Sequence, residues 1–384
     1  MISLNDNSVL VLIQLFGGND GLNTIIPIES YDILMKHRGN IMIPEKKILK
    51  IDNNIGLHPS LCELRNLYDN DELLIINDVG YPTQNRSHFK SLDIWTTGSN
   101  FNKTLSTGWL GRSLDLKHPN YPNNYPNEKF KDPIAISIGS AVADVCQGIM
   151  TNYSHVLNTL NSFPQFLKEP LDKQSDNRMN MLKFINTSID STNSYNKRLE
   201  SIVKKGISFA DYPENNELAQ GLKKVVTLLS GGSTTRIFHL SLSGFDTHAY
   251  QTDKENQEKG THAFLLKQLS EAISIFHKDL KNIGHHKRVL TATYSEFGRQ
   301  IKSNNSFGTD HGDAAPMFLF GHGLTNSMIG KLPKIENYLD DQAAVPLQFD
   351  FRDVFASIIN KTMSLSPTEI ESVFNKEIAS IPLF

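Results

Sequence analysis

The sequence predicts an α/β fold, a three-layer α/β/α sandwich around a mostly parallel central sheet. Two observations carry that expectation. Short aliphatic runs recur along the chain, each closing in glycine or polar residues, and segments with helical spacing separate them. Strands alternating with helices form βαβ units, and such units build parallel sheets covered on both faces.

Val9 to Phe16 is the first such run; it is mostly aliphatic and stops at Gly17-Gly18, as a strand buried on both faces would. The runs Glu72 to Gly80, Pro133 to Gly139, Thr235 to Gly244, Arg288 to Gly298 and Ala315 to Gly323 read the same way. Helices are expected over Pro59 to Asp69, Arg86 to Thr97, Glu217 to Leu229, Asn256 to Asn282 and Phe351 to Asn360. From about Phe163 to Ser230 the alternation stops. That stretch is polar with a helical pattern and reads as a helical insertion, packed on the sheet or capping a cleft. The segment before it, "KHPNYPNNYPNEKFKDP", is rich in Asn and Pro and reads as loop. The expected organisation is a single domain over residues 8–384, with the insertion at 163–230 inside it.

Composition narrows the function classes. A formal net charge of −3 with no long basic run gives no electrostatic footprint for nucleic acid. Cys62 and Cys146 are far apart and in no C-x-x-C spacing, so neither a disulfide scaffold nor a thiolate metal site is expected. No window reaches the roughly 18 consecutive apolar residues of a spanning helix, so no membrane span is expected. The opening "MISLNDNSVLVL" has no basic n-region and no small-residue cleavage site. The expectation is a cytoplasmic protein, or a periplasmic or exported one if a signal peptide has been removed.

Ligands of open parallel sheets bind beyond the carboxyl ends of the strands, so polar residues that follow strands are the candidates for a site. Asn19 and Asp20 follow the first run, inside "GGNDG". Taken alone that stretch reads first as a tight turn, since Asn and Asp tolerate left-handed backbone. The same position elsewhere carries similar chemistry. Asp246 and His248 stand in "GFDTHAYQ", Glu296 and Arg299 in "SEFGRQ", and Asp310 and His311 in "GTDHGDAAP". Carboxylates and imidazoles converging without thiolates suit Zn²⁺, Mn²⁺, Mg²⁺ or Ca²⁺, with histidine favouring the transition-metal end. Such an ion polarises an ester oxygen and lowers the pKa of a bound hydroxyl. Ser87, in "YPTQNRSHFKSLDIW", falls near an expected helix N-terminus that would favour an oxyanion, and Arg86 beside it suits phosphate or sulfate. Ser87 fits a plain helix cap equally well.

These stretches, with "GGNDGLNTIIP", "GLHPSL", "GWLGR" and "GTDHGDAAPMFLFG", resemble the bacterial family catalogued as domain of unknown function 1501. That family lies in the alkaline phosphatase-like (sulfatase and phosphoglycerate mutase) superfamily. The resemblance runs in order from Val9 to about Asn360. It implies two metals around a Ser, Thr or formylglycine nucleophile. Asp20 would be the first-strand metal ligand, Asp246 and His248 ligands of one metal, His311 the late histidine ligand, and Ser87 the nucleophile, with Thr83 in the same loop as the alternative. Glu296 falls where relatives carry an Asp-His pair. Phe297 stands where the histidine of that pair would be, and Asp246 to His248 is D-x-H where phosphatases have D-x-x-x-H, which puts one metal site in question. No C-x-P-S-R signature is present. Relatives often carry an export signal.

The expected function is therefore metal-dependent hydrolysis of a phosphate or sulfate ester of a small molecule or glycan. Zn²⁺ is the first choice of metal. Ser87 would attack while Arg86 or Arg299 holds the anionic group. The rival is a non-catalytic metal- or ligand-binding protein on a degenerate version of the fold.

Overall fold

In Val9–Phe16 (β1), the side chains of Val9, Val11, Ile13 and Leu15 enter one hydrophobic core and those of Leu10 and Leu12 another. Successive strand residues point to opposite faces, so a strand apolar at both parities needs cover on both sides. Leu73–Gly80 (β2) behaves alike, with Leu73 and Ile75 in the first core and Leu74 and Ile76 in the second. Two cores flanking one sheet define the three layers. The computed structural model describes residues 7–168, 176–337 and 340–384.

The other strands of the sheet are Ala135–Ile138 (β3), Ser154–Leu157 (β4), Ile237–Ser243 (β5), Val289–Tyr294 (β6), Ala315–Phe320 (β7), Met328–Ile329 (β8) and Phe349–Asp350 (β9). Among the described residues they form a nine-stranded sheet in the order β8-β2-β7-β6-β1-β5-β3-β4, with β9 also on β2. Every pairing is parallel except those of β7, which runs antiparallel to β2 and β6. The cause is the connection. Between β6 and β7 the chain makes a small hairpin, Arg299–Ser303 against Thr309–His311, instead of the crossover helix that a parallel return requires. The expected mostly parallel sandwich is the observed fold.

The longer helices are Tyr31–Arg38 (α1), Cys62–Asp69 (α2), His88–Thr97 (α3), Trp109–Lys117 (α4), Asp176–Val203 (α5), Glu217–Ser230 (α6), Thr261–Asn282 (α7), Phe351–Met363 (α8) and Pro367–Phe374 (α9). The first core takes Leu64 of α2, Leu222 and Val226 of α6 and Leu269 and Phe276 of α7; the second takes Trp95 of α3, Trp109 of α4 and Phe355 of α8. Expected helices and observed ones differ mostly at their starts. Pro59–Leu61 is a 3₁₀ turn ahead of α2, and α7 begins only after Gly260, whose φ of +116° breaks the run. Over the stretch 163–230 the chain carries α5 and α6, while residues 169–175 lie outside the described residues. Asn216 caps α6, its side chain accepting the Ala219 N–H at 3.0 Å. Among the described residues no helix is long and apolar enough to cross a membrane.

Strand register brings the functional loops together. Phe16 pairs with Ser243 on one side of β1, and Gln14 with Tyr294 on the other. The three parallel strands thus release their carboxyl ends side by side, and adjacent strands lie about 4.8 Å apart. Residues 17–20, 244–248 and 295–299 emerge on one edge.

Candidate metal centre

The turn after β1 is more than a turn. Gly17 and Gly18 have φ of +122° and +87°, a region that side chains rarely adopt. A Cβ on Gly17 would come within 2.2 Å of the Asp246 amide nitrogen, and one on Gly18 within 2.4 Å of the Phe297 ring. The glycines let the loops after β1, β5 and β6 touch. Hydrogen bonds then bolt them: the Gly17 N–H donates to Glu296 Oε1 at 2.9 Å and the Asn19 N–H to Ser295 Oγ at 3.0 Å.

On this edge a single carboxylate oxygen gathers three imidazoles. Asp246 Oδ1 lies 3.2 Å from His311 Nε2, 3.2 Å from His248 Nε2 and 3.5 Å from His88 Nε2. The donor atoms of His88, Asp246 and His311 all fall within 4.8 Å of one another, and His248 Nε2 lies 2.8 Å from His311 Nε2. The other nitrogen of each ring is engaged elsewhere. His88 Nδ1 faces Glu296 Oε1 at 2.8 Å, His248 Nδ1 faces Asp310 Oδ1 at 2.8 Å, and His311 Nδ1 faces the Arg86 carbonyl at 2.7 Å. A carbonyl or carboxylate can only accept, so these contacts assign the N–H to Nδ1 in all three rings and leave Nε2 as a lone pair when the ring is neutral.

This pattern fits a metal ion. Ligands at about 2.0–2.1 Å around one tetrahedral ion lie roughly 3.3–3.4 Å apart; the three contacts of Asp246 Oδ1 match that spacing, while the 2.8 Å between His248 and His311 is shorter. His88 Nε2 is buried with no hydrogen-bond partner, as a ligand lacking its ion would be. Two Nε2 lone pairs facing each other at 2.8 Å repel unless a proton or a cation stands between them. The outer contacts supply the orienting shell that metal-bound histidines use. Around Asp246, burial acts to raise the carboxyl pKa, but Arg299, His311 and His248 outweigh it and bring it down to about 2. It is a carboxylate at any physiological pH.

The expected site residues divide. Asp246, His248 and His311 come together. Glu296 is fully buried behind them and meets the cluster through His88, with its Oε2 unpartnered. Asp20 differs from expectation. It is 1% exposed, and its Oδ2 is taken by the buried guanidinium of Arg38 and by Gln251 rather than by any of the histidines. A buried carboxylate needs a cation nearby, and here α1 supplies one. Arg299 differs too. It is buried, and it donates to the carbonyls of Gly18 and Thr309 at 2.8 Å, of Gly17, of Phe245 at 3.0 Å, and to Asp246 at 2.8 Å. Its guanidinium holds three loops together and is buried, out of reach of an incoming anion. Arg86 makes a bidentate pair with Asp313, both contacts at 2.8 Å, and donates to the Gln342 carbonyl at 2.7 Å. Ser87 occupies the N-cap position of α3, yet its side chain makes no capping bond and is exposed. Thr83 is exposed in the same loop.

His88 is not among the ligands expected from sequence. The signal is present: β2 releases its chain on the same edge as β6, and the loop after it ends in "RSHFKS", so the rule applied to the other strands reaches His88 as well. Phe297 sits where a histidine would be looked for. It is fully buried, with its ring centroid 4.8 Å from that of His88 and 4.6 Å from that of His311. It walls the cluster with carbon.

A parallel α/β sandwich with an imidazole–carboxylate cluster at the carboxyl edge defines the class. Within it, residues 75–374 match the family model described as protein of unknown function (DUF1501), and the chain belongs to that family. No curated protein matches the chain significantly. Among solved structures it is similar to a protein in the alkaline phosphatase superfamily from Vibrio parahaemolyticus, at 11% identity and TM-score 0.44, covering 97% of this chain and 71% of that one. It is also similar to the C-terminal periplasmic domain of EcEptC from Escherichia coli, at 9% identity and TM-score 0.44, covering 99% and 90%. A third is the phosphoglycerol transferase GacH of Streptococcus pyogenes, at 10% identity and TM-score 0.39, covering 98% and 81%. These are distant likenesses, and the chemistry of the site has to be read from its own residues.

Proposed function

We propose that the protein is a metal-dependent hydrolase of phosphate or sulfate esters, with His88, Asp246, His248 and His311 holding one divalent cation. The convergence of three Nε2 atoms on Asp246 Oδ1, each ring fixed from behind, carries the reading. Three imidazoles and one carboxylate favour Zn²⁺, with Mn²⁺, Mg²⁺ and Ca²⁺ as weaker fits to nitrogen. When bound, such an ion would supply Lewis-acid polarisation of an ester oxygen and neutralise developing charge.

The chain's own residues do the rest. The α3 N-terminus offers first-turn N–H groups with no intrahelical partner, and they favour an anion beside Ser87. The unbonded Ser87 hydroxyl, one residue from a proposed ligand, is the candidate nucleophile; its oxygen would bond to phosphorus or sulfur as the substrate ester bond breaks and the alcohol leaves carrying a proton, and water would then cleave the seryl ester, releasing phosphate or sulfate and restoring the hydroxyl. Arg86 reaches the same loop, and Asp313 holds its guanidinium in a fixed plane. Arg299 positions Asp246 and the Gly17-Gly18 turn.

One observation favours a second reading, a metal-binding protein without turnover: both arginines suited to an anionic group are already ion-paired. Metal analysis of protein purified without chelator, followed by a screen of phosphate monoesters, diesters and sulfate esters with added Zn²⁺, Mn²⁺ and Ca²⁺, separates the two. About one equivalent of metal with turnover that Ser87→Ala removes and Thr83→Ala keeps supports the enzyme. Metal without turnover supports the binder, and no metal sinks both.

A further inference from the structure

A second recess lies at the other edge of the sheet. β1 is eight residues long, so its amino end stands about 23 Å from the loops of the metal centre at roughly 3.3 Å per residue. Ser8, Ile134 and Arg236, which precede β1, β3 and β5, meet the carboxyl ends of α4 and α8 there and enclose a pocket of about 460 Å³. Its buried wall belongs to the second core, with Leu10, Leu114, Ile134 and Ile237 all nearly closed to solvent, and the half-buried Phe130 and Met363 complete it.

Every titratable side chain that lines this pocket is basic: Lys117, His118, Lys129 and Arg236. The chain as a whole carries a formal net charge of −3, and recesses of similar size beside α6, α9 and Tyr250 each include a carboxylate, Glu217, Glu371 and Asp253. The all-basic lining sets the pocket apart from them. Its field reaches His118. Burial lowers the pKa of that ring most, and Arg236, Lys129 and Lys117 lower it further, to about 4, so the imidazole is neutral while the three longer side chains carry charge.

Helix C-termini attract cations, and Lys117 answers that need, its Nζ donating at 3.1 Å to the Ser364 carbonyl just beyond α8. Lys129 and Arg236 lie in no helix, so the dipoles do not account for them. Arg236 is held at the pocket by the carbonyls of Ser8 and Thr362, and Lys129 Nζ sits 5.2 Å from the centre of the Phe130 ring. The carboxylates around the rim are engaged elsewhere. Glu128 pairs with Lys131 at 3.1 Å, Asp132 with Arg198 at 2.7 Å and with Thr234, and Glu369 accepts the Ser366 N–H at 2.7 Å.

We propose that this pocket binds a small amphiphilic anion, a phosphate or carboxylate group carried on an apolar body. Lys117 and Lys129, both exposed at the mouth, meet the anionic group, and the apolar body lies against Phe130 and Met363. A bare inorganic anion would leave the apolar wall uncovered. A neutral amphiphile would leave the lysines without a counter-charge. The site is separate from the metal centre and does not depend on ester hydrolysis.

Met363 gives the pocket its own reporter. The full chain is labelled with ¹³C at its methionine methyls, the Met363 signal is assigned through Met363→Leu, and NMR titrations follow octylphosphonate, octanoate, octyl glucoside and inorganic phosphate. The phosphonate has no ester bond to hydrolyse. The expected result is a saturable shift of the Met363 methyl with at least one of the two octyl anions, at an affinity tenfold or more above that for octyl glucoside and for phosphate. The double variant Lys117→Gln/Lys129→Gln should weaken that binding about tenfold or more while keeping the melting temperature. Lys129→Gln alone, which leaves the Ser364 contact intact, serves where the double variant loses stability. No shift at Met363, octyl glucoside or phosphate binding as tightly as the octyl anions, or unchanged affinity in the variants would each overturn the proposal. An anion held at the metal centre leaves Met363 undisturbed, so the pocket and the hydrolase reading can fail separately.

Discussion

His88 Nδ1 lies 2.8 Å from Oε1 of Glu296, a carboxylate with no exposed surface. The same oxygen accepts the Gly17 N–H, so one side chain ties the turn after β1 to the first residue of α3 and fixes the ring that points Nε2 at the cluster. A carboxylate behind a histidine raises the basicity of the far nitrogen and sets its tautomer, which is how orienting contacts tune metal affinity.

That relationship yields a prediction with a sign. Glu296→Gln keeps the shape and can still accept from Gly17, but it removes the charge behind His88, so metal affinity should fall about 10- to 100-fold. Competition against a chromophoric chelator would measure it, with His88→Ala falling further. Unchanged affinity in both variants would exclude His88 as a ligand.

Asp20 separates two ideas of the site. As a ligand, its removal would reduce metal binding. As the buried partner of Arg38, its removal would strand a guanidinium in a closed interior where Arg38 Nε and Nη1 already lack partners. Breaking a buried pair from one side costs about 3–5 kcal/mol. Asp20→Asn should therefore lower stability by that order in urea titration while the folded protein keeps its metal stoichiometry. A stable Asp20→Asn protein with reduced metal content would restore the carboxylate as a ligand.

The fold is legible in the sequence because β1 and β2 are apolar at both parities, a pattern only a doubly covered strand satisfies. The reversal of β7 is not, since "APMFLF" reads the same in either direction and its hairpin connection carries no strong turn pair. At the site, residue type and position after a strand find Asp246, His248 and His311. They cannot tell that Asp20 has a private cation, because Arg38 arrives from a helix with no pattern to announce it. Nor can they show that the guanidinium of Arg299 is buried against backbone carbonyls, which only the folded loops reveal. His88 is hidden by its neighbour: Ser87 draws attention as a nucleophile, and the imidazole one residue on reads as helix.

Asp78 offers a test independent of any ligand. It lies near the end of β2 with φ of +52°, and burial pushes its carboxyl up to about 7 from an ordinary value of 3.8, although Gln348 Nε2 donates to it at 2.6 Å and pulls the other way. The folded state thus holds a proton that the unfolded state releases near pH 4. Between these values the native form binds more protons, so stability falls as pH rises from about 4 to about 7 and levels off above. Every pH unit that separates the folded from the unfolded titration corresponds to about 1.4 kcal/mol, so the whole effect is on the order of 4 kcal/mol at most. Asp78→Asn carries no proton to lose and can still accept from Gln348. Urea unfolding of both proteins at pH 4 and pH 8 should show the variant gaining on wild type by a few kcal/mol across that window. A difference between the two that stays flat with pH would mean that Asp78 is ionised in the native protein throughout.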